Sequence, residues 1–178
     1  MNKRFLFLFL AIILVVSIAT RLLPHPPNFS PIAALALFSG VYGAKVSKWF
    51  LLLPLVALFI SDLTLGFYDW GVMAVVYGSF AFIGLFGLLL QKKKSVGTIT
   101  VAALGGSLLF FLTTNFAVWA FTRMYPLDMG GLITSYIMAL PFLKFTIAGD
   151  LFYVAVFFGV YEFALALYRK NALVSEHE

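Results

Sequence analysis

The sequence predicts an all-α integral membrane protein, a bundle of six transmembrane helices, and three observations carry that reading. First, 63% of the 178 residues are hydrophobic and 11% are charged, whereas an ordinary soluble domain carries about 25% charged residues. Second, the apolar residues fall into runs near the roughly 20 residues that a spanning helix needs, separated by short polar breaks. Third, the basic residues sit in those breaks rather than in one patch, so the net charge of +5 is a topology signal and not a nucleic-acid-binding surface. The absence of Cys excludes disulfides, thiolate metal sites and cysteine nucleophiles.

The spans are expected at about 5–21, 31–44, 48–67, 71–90, 97–121 and 142–167, in a single domain over 1–178. The first, "FLFLFLAIILVVSIAT", follows Lys3 and Arg4. Its Ser17-Ile18-Ala19 also resembles a signal-peptide cleavage site, and the alternative is a removed leader with five remaining spans. The second is short and carries Ala36, Gly40 and Ala44 at four-residue spacing, with Gly43 beside them. Small residues so spaced let helix backbones approach, either within the bundle or as a docking face for another membrane protein. The third, "WFLLLPLVALFISDLTLG", holds Asp62 toward its outer end. The fourth ends at "QKKKS", Gln91 to Ser95, a topology anchor that divides the chain into halves of three spans.

The fifth span brings Thr113, Thr114 and Asn115 toward mid-membrane, with Trp119 one turn further out on the face of Asn115. "YPLDMGGLITSYIMALPF" follows, interrupted by Pro126, Gly130, Gly131 and Pro141. It predicts a short outer helix that stops at Pro141, where the sixth span starts with proline in its first turn. Lys144 and Asp150 lie early in that span; Glu162 lies deep, within reach of Arg169. A cytoplasmic N-terminus puts nine of the twelve Lys and Arg inside and leaves Arg21, Arg123 and Lys144 outside. That is the positive-inside pattern of a multi-pass inner-membrane protein with both termini cytoplasmic.

Four of the seven prolines, Pro24, Pro26, Pro27 and Pro31, fall in the loop between spans one and two, with His25 and Asn28. Proline lowers the entropy that a loop loses on ordering, so this segment reads as a preorganised lid over a ligand; the alternative is a stiff connector. Charges inside spans normally face a cavity or a partner. Asp62, Lys144 and Asp150 are expected at one outer depth, with Asn115 and Trp119, so that Asn28, Asp62, Asn115, Trp119, Lys144 and Asp150 form a small-molecule pocket. The alternative is that Asp62 or Asp150 merely pairs with Lys144 and that Trp119 belongs to an interfacial aromatic belt.

Catalytic patterns are missing: there is no HExxH, GxSxG or Walker sequence, and the two histidines, His25 and His177, form no His-rich metal site, the second lying in a charged tail. Neither an enzyme nor a bound cofactor or metal is expected. With no nucleotide-binding domain, any pumping needs a partner.

The layout, with the loop running into "PIAALALFSGVYGAKVSKWFLLLPLVALFISDLTLG" and the last span opening "ALPFLKFTIAGDLFY", resembles the substrate-binding S components of energy-coupling factor vitamin transporters. "LPHPPNFSPIAALALF" also resembles the signature of a group of small uncharacterised membrane proteins presumed to be transporters. The S-component resemblance implies a loop closing over a vitamin-like substrate, and a helix face that meets a transmembrane coupling subunit served by ATPases. That family carries its alanine-spaced motif on the first span, where this chain has only Ala11, Ser17 and Ala19 at other spacings. The competing expectation is a non-transporting scaffold or assembly subunit whose polar residues lock the bundle.

Overall fold

The computed structural model describes residues 3–175, and these are helical with no strand. Helix α1 spans Lys3–Leu22, α2 Ile32–Val41, α3 Leu53–Leu65, α4 Trp70–Leu90, α5 Val96–Phe121 and α6 Met129–Ser175, with two short 3₁₀ turns, Gly43–Lys45 and Lys48–Leu52, between α2 and α3. Five helical segments are long and apolar enough to cross a membrane: α1, α4, α5, α6 and the run Lys48–Leu65. Successive helices reverse direction, so the connections gather at two ends. The loop end carries 23–31, 66–69 and 122–128; the lysine end carries 42–52 and 91–95.

Local chemistry sets the boundaries. Asp69 caps α4, its Oδ1 accepting from the Val72 amide at 3.0 Å. Ser95 and Thr98 form a reciprocal capping box at the start of α5, which satisfies amides that the first helical turn leaves unpaired. α3 stops at Gly66, whose φ of +97° lies in the left-handed region that glycine adopts without strain. Asp128 accepts from the Gly131 amide at 2.7 Å and opens α6.

Helix α2 is the organising element. All of its residues are buried, and it packs against α1, α3, α4, α5 and α6. At 10 residues it is about 15 Å long, half the thickness of a bilayer core, and a short helix apolar on every side belongs inside a bundle. The expected second span is therefore an enclosed core helix that ends in a 3₁₀ turn. Its small-residue stripe is used internally: a Cβ on Gly40 would sit 2.1 Å from the Gly84 carbonyl oxygen, and one on Gly87 2.7 Å from that of Leu37. Ala36 is fully buried and Ala44 half-buried in the 3₁₀ turn. The docking-face expectation for Ala36, Gly40 and Ala44 is thus corrected at Ala36 and Gly40, because α4 already occupies the face that they present.

The second correction is at Pro141, which lies inside α6 instead of separating an outer helix from a span. Proline there removes one hydrogen bond to the carbonyl four residues earlier, whereas ending the helix would expose a full set of unpaired groups in an apolar medium. Between Tyr136, whose hydroxyl donates to the Leu112 carbonyl at 2.8 Å, and Asp150, which meets Ser107 at 2.6 Å, α6 advances much further than α5 does.

Helix α1 is built into the core through Leu6, Leu10, Ile13 and Ser17, all buried on one face. Its Phe9 joins Phe38 of α2 and Tyr161 of α6 in an aromatic cluster with ring centroids 5.1 to 5.2 Å apart. Removing 1–20 would uncover that cluster.

Candidate functional site: a cavity beneath the proline loop

The loop is shaped by its own residues. Phe29 donates its amide to the Pro26 carbonyl at 3.0 Å, closing a turn with Pro27 second and Asn28 third at φ 63°. Proline followed by a residue tolerant of positive φ is the type II signature. The turn lowers Phe29 and Ser30 onto α6, where Gly149 makes room: a Cβ there would lie 3.0 Å from Phe29 Cα and 3.1 Å from the Ser30 nitrogen. The Phe29 ring then rests against Phe152 and Tyr153, at centroid distances of 5.8 and 5.5 Å.

Beneath the loop lies a cavity of about 450 Å³, within the size range of small-molecule sites. Arg21, His25, Asn28 and Ser30 line its upper wall, with Leu65 and Tyr68 beside them. Val76 and Phe80 of α4, Phe110 of α5, and Thr146 and Asp150 of α6 line the rest. A smaller cavity of about 230 Å³ adjoins it, sharing Asn28, Val76, Phe110 and Thr146 and reaching Thr114 and Asn115.

Two buried carboxylates differ in environment. Asp62, 1% exposed, is saturated by Arg21 Nη2, 2.6 Å from Oδ1, and by the Tyr77 hydroxyl, 2.8 Å from Oδ2. Asp150, 4% exposed, accepts one bond, from the Ser107 hydroxyl to Oδ2 at 2.6 Å; among the described residues Oδ1 has no hydrogen-bond partner and no cation pairs with it. Ser30 Oγ, also buried, has no partner either.

The expected pocket residues are therefore divided. His25, Asn28 and Asp150 line the main cavity, Asn115 lines the adjoining one, and Asp62 stands behind Arg21. Asn115 donates its side-chain amide to the Phe111 carbonyl at 2.7 Å, on its own helix. Trp119 lines neither cavity; its indole N–H donates to the Pro126 carbonyl at 2.9 Å and ties α5 to the loop that follows. Lys144 is exposed, with Nζ 4.9 Å from the Phe145 ring centroid, and is not the expected partner of Asp62 or Asp150. Nor is depth common to all: Asp62 is in the last turn of α3, whereas Asp150 meets the middle of α5. Pro24, Pro26 and Pro27 shape the loop from its exposed side.

Sequence reasoning missed Arg21, Tyr77 and Ser107. Arg21 ends α1 at the same end of the bundle as Asp62, and that shared end was its one available signal. At the lysine end Glu162 is bonded by Lys94 and by the Tyr42 hydroxyl; the side chain of Arg169, its expected partner, lies outside the described residues, as does His177. A second cavity of about 540 Å³, walled largely by Ile99, Leu151, Val154 and Phe158, opens there. Among the described residues no group of three or more His, Cys, Asp or Glu could hold a metal ion.

Residues 1–173 match the model of a family of unknown function, DUF6580. The chain belongs to the DUF6580 family. No curated protein and no solved structure matches it. The match takes in α1, the proline loop, and every residue that lines the two cavities at the loop end, so the candidate site lies wholly within the DUF6580 region.

Proposed function

We propose that this protein is a multi-pass inner-membrane subunit that binds a small organic molecule, a vitamin or cofactor precursor, beneath the proline loop for uptake, in the manner of an S component. The single observation behind this reading is the main cavity, in which a preorganised loop covers polar groups left without partners. A structural void would be lined by apolar side chains, since burying unbonded polar atoms costs free energy. Here Asp150 and Ser30 retain unused bonding capacity toward one space. The lysine end faces the cytoplasm, with both termini there, and a coupling subunit with ATPases energises transport through a face other than Ala36 and Gly40.

The test is to purify the full chain gently, extract it with solvent and search for a stoichiometric small molecule by absorbance and mass spectrometry. A recovered molecule that raises the thermal midpoint when added back supports the proposal. Its repeated absence, with no vitamin shifting that midpoint, favours the second reading, a scaffold subunit. That reading draws on Asp62 and Trp119, whose polar atoms bond within the chain. A C-terminal phosphatase fusion that is active outside the cytoplasm would overturn the topology.

A further inference from the structure

The geometry points to a ligand that offers an amine or other cationic nitrogen to Asp150 and an apolar or aromatic body to Val76, Phe80 and Phe110; this rests on the small-molecule reading above. The cavity wall carries few ionisable groups. Its ionisable residues are Arg21, His25, Tyr68 and Asp150. Arg21 is compensated by Asp62, which Tyr77 also bonds. His25 is exposed, with Nδ1 2.9 Å from the Pro26 carbonyl oxygen. Asp150 is left as a buried carboxylate with a single bond and no cation within salt-bridge distance among the described residues. A carboxylate so buried is held ionised only at a cost, and a ligand that brings the opposite charge removes that cost.

A second observation points the same way. Ser30 Oγ is a buried acceptor with no partner, and its backbone touches Gly149, the residue before Asp150. Loop and helix therefore present two acceptors on neighbouring parts of one wall. An ammonium group carries up to three N–H donors and no acceptor, so it suits both oxygens, whereas a second carboxylate meets Asp150 as a like charge. An inorganic divalent ion demands more oxygen ligands or a denser donor set than this wall supplies. The lining residues from α4 and α5, Val76, Phe80 and Phe110, are apolar and favour an aromatic or aliphatic body.

The experiment uses the purified full chain and three probes of matched shape: 2-phenylethylamine, 2-phenylethanol and phenylacetate. Binding is followed by calorimetry and thermal shift. The amine should bind at least tenfold more tightly than the alcohol or the carboxylate, and Asp150→Asn should reduce the amine to the affinity of the alcohol. If Asp150→Asn does not fold, the order of the three probes on the wild-type protein decides. Equal or tighter binding of the alcohol or the carboxylate, or an amine preference that survives Asp150→Asn, overturns the cation assignment and leaves small-molecule binding standing. Failure of all three probes, together with no co-purified molecule, overturns both.

Discussion

Arg21 Nη2 lies 2.6 Å from Asp62 Oδ1, which joins the last turn of α1 to the last turn of α3 across 41 residues of chain. The pair forms the edge of the cavity: Arg21 faces the space, while Asp62 is held behind it with Tyr77. Removing one member leaves the other charge buried. Arg21→Met should destabilise the protein by about 3–5 kcal/mol, and the double variant Arg21→Met/Asp62→Leu should recover most of that loss. Unfolding of each variant in a fixed detergent measures this; Lys144→Met, at an exposed lysine without a carboxylate partner, should change little.

The α2–α4 contact depends on bare backbone at two glycines. Gly87→Ala would place a Cβ 2.7 Å from the Leu37 oxygen and 2.9 Å from Gly40 Cα, with no flexible side chain to yield. We expect a loss at or above the top of the about 1–3 kcal/mol range for overpacking. Gly105→Ala, where nothing lies within 4 Å, should be neutral or slightly stabilising. Expression level and thermal midpoint separate the two.

Gly149 controls the seat of the loop. With Phe29 Cα 3.0 Å from the added methyl, Gly149→Ala should lift residues 24–30 by a few tenths of an ångström and cost about 1 kcal/mol. Hydrogen exchange in this segment should rise while exchange in α4 and α5 stays as in the wild type. Unchanged exchange at 24–30 would show that the loop is not seated on α6.

Tyr68, between α3 and α4, has its phenol pushed up from 10.0 to about 12 by burial, with the charge of Asp62 acting in the same direction and Arg21 opposing. The neutral phenol is favoured in the folded state. Its contribution to stability is thus complete below the unfolded value of 10.0 and is lost as pH rises toward about 12. The side chain is 39% exposed, so solvent screens the effect and its size is small. Across that window Tyr68→Phe should lose less stability than the wild type; parallel curves would contradict the assignment.

The extent of α4 and α5 was legible in the sequence, and the facing of the helices was not. The expected 71–90 and 97–121 match α4 and α5 to one residue, because the apolar runs themselves end there. Spans that are apolar all round have no polar stripe to show which side turns inward, and lipid is as apolar as the core. The common depth expected for Asp62 and Asp150 was not found, because α6 starts well before Pro141, and azimuth could not be read either. That is why Lys144, early in the sixth span, projects outward while Arg21, at the end of the first, turns in to meet Asp62. Pro141 misled for a related reason: in water a proline commonly ends a helix, whereas in an apolar medium one lost bond costs less than an open end.

The central claim is that the cavity under the proline loop holds a small molecule, and native mass spectrometry of the full chain beside Val76→Phe tests it most directly. Val76 lines both cavities at the loop end, so a phenyl ring there occupies the space without disturbing Arg21, Asp62 or Asp150. The account predicts a discrete low-mass adduct on the wild-type protein that is lost from a folded Val76→Phe variant. An adduct that persists in the filled variant, or a wild-type protein repeatedly free of any adduct when purified from cells grown in rich medium, would contradict it.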